Sequence, residues 1–133
     1  MSVEQLLRSL PAEAPAPVLR PTVVEVPGRV RVLRLDGEID LDQRRLLRRA
    51  LERALRAAPA RLLVLDLSRL VFCDVTGLNE LLRAREEAEA AGSGLVLAGP
   101  LPQTARLLEA TGTRAVFEVH DSVAGALAHR GRR

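Results

Sequence analysis

The chain has 133 residues, 47% of them hydrophobic and 28% charged, with a formal net charge of +3. That length suits one small domain, which buries about two-thirds of the surface its unfolded chain exposes and can fold without a metal or a disulfide. A single cysteine excludes an internal disulfide and a cysteine-based metal cluster and points to a reduced, cytoplasmic compartment, while no apolar run approaches the ~18 residues of a membrane span.

Val3, Leu6, Leu7 and Leu10 recur at helical spacing behind a Ser2/Gln5 capping box, which predicts a short helix over Ser2–Leu10. Arg8 interrupts its apolar part, so it does not read as a signal peptide. Pro11, Pro15 and Pro17 among alanines predict an extended linker. Residues 1–20 therefore read as an N-terminal arm, 21–129 as the domain and 130–133 as a basic tail. Thr22–Val26 and Val30–Leu35, joined through Pro27-Gly28, predict an antiparallel edge pair. A helix is expected over about Leu41–Ala57, where Leu47, Ala50, Leu51, Ala54 and Leu55 form one stripe. Leu62–Leu67 is almost uninterrupted apolar sequence, as in a central strand covered on both faces. A second helix from Thr76 or Gly77 to Ala90, a strand Gly94–Ala98, a helix Pro102–Ala110 stopped by Gly112, a strand Ala115–Val119 and a last helix to Ala128 complete the chain. Strands alternating with helices require a mostly parallel sheet, so an α/β fold of about five strands and about four helices is expected.

All 20 basic residues are arginine. Arg44, Arg45, Arg48, Arg49, Arg53 and Arg56 crowd one helix and read as a solvated basic face, with an acidic protein partner as the functional alternative. With two Phe and no Trp or Tyr, base-stacking side chains are scarce, and nucleic acid is not an expected partner. His120, Asp121 and Ser122 are consecutive and cannot converge as a triad; Asp121 or Ser122 reads as a helix cap. His129 has no ligand partner at metal spacing. Asp66 ends a central strand as a phospho-aspartate acceptor would, yet a receiver site needs a lysine and the chain has none. No acid, base and nucleophile can be placed together, so neither catalytic nor metal-ligating residues are assigned and no enzyme activity is expected.

The most informative segment is Leu62–Leu78, where an apolar strand gives way to the turn Asp74-Val75-Thr76-Gly77-Leu78 and then a helix. Asp or Thr at that position is foremost an N-cap, and a helix start also favours negative charge. Here the sequence resembles the STAS domain of anti-sigma factor antagonists, whose usual signature is a strand followed by Asp-Ser-Ser/Thr-Gly-Leu. Val32–Asp40 is similar to the family's Gly-Glu-Leu/Ile-Asp segment, and Leu95–Pro100, Ala105–Gly112 and Val116–Val119 follow in the family's order. The resemblance implies a STAS-type fold, a serine/threonine-kinase-type anti-sigma factor as partner, and no cofactor, ATP belonging to the partner. It also implies partner contacts at Asp40, Asp74, Val75, Thr76, Gly77 and Leu78, and a switch by phosphorylation at the turn. The family's modified serine is replaced by Val75, which leaves Thr76 as the phosphoacceptor candidate in the turn. A structural STAS subunit of a transporter or multi-STAS assembly is the second reading, and homodimerisation is left open.

Overall fold

The computed structural model describes residues 2–8 and 18–131. Among them are helices α1 (Val3–Arg8), α2 (Arg44–Arg56), α3 (Val75–Ala90), α4 (Pro102–Ala110) and α5 (Val123–Gly131). The strands are β1 (Leu19–Val26), β2 (Val30–Ile39), β3 (Leu62–Asp66), β4 (Leu70–Cys73), β5 (Gly94–Ala98) and β6 (Glu118–His120). The expected capping box is present on α1, with the Gln5 N–H donating to the Ser2 hydroxyl and the Ser2 N–H to Gln5 Oε1. Positions 9 and 10 of that expected helix and the proline linker lie outside the described residues.

The strands form one mixed sheet in the order β1-β2-β3-β5-β6, with β4 also paired to β2. The first pair is antiparallel and every other pair is parallel. Alternation along the strands sorts the core into two layers. Leu33, Leu35, Leu63, Leu65, Leu95 and Leu97 face one way and pack with Leu47 and Leu51 of α2, Leu78 and Leu81 of α3, and Leu108 of α4. Val30, Val32, Leu62, Val64, Val96 and Ala98 face the other way, where Ala126 of α5 is buried among them. Each fully buried leucine contributes about 1.5–3 kcal/mol by leaving water.

Four elements differ from the sequence expectation. The first strand begins at Leu19 rather than Thr22, so Leu19 and Arg20, expected in the N-terminal arm, belong to the sheet, and Leu19 is buried in the core. The second strand continues past Leu35 to Ile39, because Gly37, at φ +122, bends it where the backbone of Val18 passes too close for any side chain. Leu70–Cys73, expected as part of a connecting segment, is a sixth strand whose Phe72 and Cys73 pair with Glu38 and Ile39. The expected strand Ala115–Val119 splits into a 3-10 turn over Thr113–Ala115 and the short β6. Phe117 between them is buried as a plug of the core rather than as a strand residue.

The arginine face of α2 also departs from a simple solvated stripe. Arg44 and Arg48 both turn to the carboxylate of Glu80 on α3, and Arg56 pairs with Glu52 one turn back. Arg31 of β2, itself buried, donates to the carbonyls of Ala54 and Ala58 at the end of α2. A cation there satisfies orphan carbonyls and meets the negative end of the helix dipole.

Candidate functional site

Strands β2 and β4 run parallel and end together at Ile39 and Cys73, so Asp40 and Asp74 leave the sheet side by side. The Asp74 N–H donates to the Ile39 carbonyl at 3.1 Å, which ties the second exit to the first. Asp74 then caps α3, its Oδ1 accepting from the Gly77 N–H at 3.0 Å. Asp40 caps the 3-10 turn Leu41–Gln43, accepting from the Asp42 N–H while its own N–H donates to Gln43 Oε1. Each cap is worth about 0.5–2 kcal/mol.

The strand end beneath the turn is held from a third side. Gln103 on α4 accepts from the Cys73 N–H at 2.9 Å and donates to its carbonyl at 2.8 Å, so one side-chain amide pairs with β4 as a neighbouring strand would. Cys73 is buried, and that burial, with the charge of Asp74 adding, pushes its thiol up to about 12. It is a small core hydrophobe rather than a reactive group.

The expected contact residues divide by burial. Gly77 and Leu78 face inward: a Cβ on Gly77 would stand 2.5 Å from Ile39 Cγ2 and 2.9 Å from Cys73 Sγ, and Leu78 belongs to the core. Val75 faces out at 54% exposure. Asp40, Asp74 and Thr76 are half-buried. Exposed apolar side chains flank the two strand exits in the chain: Leu41 is 67% exposed, Val71 58% and Phe72 40%. Leu41 follows one strand exit, and Val71 and Phe72 precede the other.

Between them, α2 and α3 enclose charge. Glu80 is 5% exposed, yet its carboxylate accepts from Nε and Nη2 of Arg48 at 3.0 and 2.8 Å and from Nε of Arg44 at 3.3 Å. Hydrogen bonding to Arg48 is the main reason its carboxyl is held below the usual carboxylate range, against the effect of burial; the Arg48 guanidinium is pushed up by the same bond. A cleft of about 380 Å³ opens here, lined by Leu41, Arg44, Arg48, Thr76, Asn79, Glu80 and Arg83. A second, of about 500 Å³, lies against Leu41, Asp42, Arg44, Arg45 and Arg48.

Asp66 lies elsewhere, on the α5 face of the sheet. Burial raises its pKa, but the hydroxyl and N–H of Ser68 and the guanidinium of Arg34 outweigh that and hold the carboxyl below its usual range. It is tied down as a structural carboxylate. Among the described residues no three His, Cys, Asp or Glu side chains are grouped to hold a metal ion, and no helix is long and apolar enough to cross a membrane. Sequence reasoning passed over Gln103, Phe72 and Glu80. Gln103 and Glu80 act across elements, and Phe72 has a signal only once β4 is recognised as a strand.

Residues 21–126 match the family model of the STAS domain. The chain belongs to the STAS-domain family. Solved STAS relatives agree with its fold. An anti-sigma factor antagonist from Mycobacterium paratuberculosis is 26% identical, with 84% of this chain covering 92% of that one at a TM-score of 0.76. The Bacillus cell fate determinant SpoIIAA in its phosphorylated form is 21% identical, with 83% and 98% covered and a TM-score of 0.64. A sulfate transporter family protein from Wolinella succinogenes is 23% identical, with 80% and 88% covered and a TM-score of 0.68.

Proposed function

We propose that this STAS domain is an anti-sigma factor antagonist, a cytoplasmic binding protein rather than an enzyme, whose 21–129 body docks a kinase-type anti-sigma factor and so frees a sigma factor. The carrying observation is the set of exposed apolar side chains Leu41, Val71, Phe72 and Val75 at the strand exits and on a turn braced by Asp40, Asp74 and Gln103. A rigid, partly apolar knob suits protein docking, because little conformational freedom is lost when a partner covers it. Asp40, Asp74, Val75 and Thr76 supply the contact surface in this reading, and Gly77 and Leu78 hold the backbone beneath it. The likeness to an antagonist at 26% identity supports the same partner class.

A second reading is favoured by one residue. Val75 occupies the position where the antagonist signature has its modified serine, and a STAS module in a transporter-type assembly needs no hydroxyl there. Capture from native lysate followed by identification of the bound protein separates the two readings. A kinase-like anti-sigma protein supports the first; an ATPase or a permease supports the second.

A further inference from the structure

The two faces of the sheet are not covered alike. Helices α2, α3 and α4 pack on the face that carries Leu33 and Leu65, whereas among the described residues α5 alone packs on the other. α5 lies over β3, β5 and β6, so the β1–β2 end of its face is left largely open. What remains there is a groove of about 300 Å³ between the edge strand and α5, walled by Thr22, Val24, Val26, Val32, Val123 and Leu127. Val24 is 52% exposed in it. Arg34 and Asp66 also border the groove, but they are already paired at 3.0 Å, so the surface offered is apolar and carries no net charge.

The chain has an apolar segment of matching size. Val3, Leu6, Leu7 and Leu10 share one face at helical spacing, and Val3, in α1, is 73% exposed. A helix this short is not stable alone in water and gains from a surface to pack on. Ser2–Leu10 as a helix extends about 13 Å, and the groove follows Thr22–Val26, which is about 13 Å of strand. The tether is long enough. Residues 9–18 separate α1 from β1, and a linker of that length spans up to about 30 Å when extended, whereas the far end of the groove at Val26 is about 23 Å along β1 from Leu19.

We propose that this groove seats the chain's own N-terminal helix, which lays its apolar stripe between β1 and α5 as the second helix on that face of the sheet. The tether favours this occupant over a second copy or a separate protein, because a short linker holds the helix beside the groove at an effective concentration on the order of millimolar. The seat shares no residue with the turn Asp74–Leu78, so the arm does not compete for the surface assigned to the anti-sigma factor.

A nitroxide label carried on the full chain tests the docking. Arg8→Cys places the label on the side of α1 away from the stripe, and Cys73, buried with its thiol pushed up to about 12, does not compete for the reagent. In amide NMR the label should remove at least half of the signal of Val24, Val32 and Leu127, the docked form being the majority state, and leave Val75 and Phe72 unchanged. Leu7→Asp in the arm and Val24→Asp at its exposed position in the groove should each restore the lost signal. Loss that survives both substitutions, or that falls on other residues, overturns the proposal. Mixing spin-labelled chain with unlabelled nitrogen-15 chain identifies the occupant. Loss in the mixture shows that the arm of a second copy fills the groove, and no loss in either experiment leaves the groove to a separate protein; both results overturn the proposal.

Discussion

Glu80 and Arg48 join α3 to α2 through a two-bond grip, 2.8 and 3.0 Å long, on a carboxylate that is almost wholly buried. The two partners are not equally replaceable. Glu80→Ala leaves two arginines that turn to water, at a cost of about 1–2 kcal/mol. Arg48→Ala strands the buried carboxylate on Arg44 alone and costs more than that, though less than leaving a buried charge fully unpaired. Urea unfolding of both variants should show Arg48→Ala as the less stable.

Acid should erode the same linkage. The carboxyls of Glu80 and Asp66 have folded-state pKa values below their ordinary ones. Their contribution is therefore complete above the unfolded-chain values near 4 and is lost as pH falls through the lower folded values. Urea midpoints measured from pH 7 down to pH 3 should fall, and Glu80→Gln should flatten that fall. Equal losses in wild type and Glu80→Gln would show that this carboxylate adds no pH-dependent stability.

Gly77 acts by contact rather than by backbone freedom. A methyl there meets Ile39 and Cys73, so Gly77→Ala should cost about 1–3 kcal/mol through overpacking. Removing Ile39 Cγ2 makes room, and a double-mutant cycle with Ile39→Ala should show Gly77→Ala better tolerated by at least about 0.5 kcal/mol. Strict additivity would place the strain elsewhere.

The order of strands and helices was legible because Leu62–Asp66 and the stripe Leu47, Leu51 and Ala54 carry unmistakable periods of strand and helix. The caps at Ser2 and Asp74 were legible for a related reason: a cap is a local bond, formed within three residues. β4 was not legible, since four residues with Val71 and Phe72 turned outward mimic a loop. The bracing of the turn was hidden too. Gln103 lies thirty positions from Cys73, and only the packing of α4 brings them together. The arginine stripe looked uniform because nothing local marks Glu80 as its partner 32 to 36 residues on.

Position 75 should control modification by a kinase-type partner. Moving one residue along a helix start rotates a side chain by about 100°, so a kinase that addresses position 75 finds the Thr76 hydroxyl turned toward the cleft. With purified partner and ATP, Val75→Ser should be phosphorylated rapidly and wild type at least tenfold more slowly. Mass spectrometry locates the group. Rapid modification of wild-type Thr76 would show that the displaced hydroxyl is no obstacle.

Docking at the turn is tested most directly by the affinity of the purified partner for Val75→Asp. The side chain is exposed, and an aspartate in the first turn of α3 suits the helix dipole, so the domain stays folded. A charge buried in an apolar contact should weaken binding at least tenfold, whereas Arg114→Asp, on the exposed turn after α4, should bind as wild type does. Unchanged affinity in folded Val75→Asp would contradict the placement of the partner on this surface.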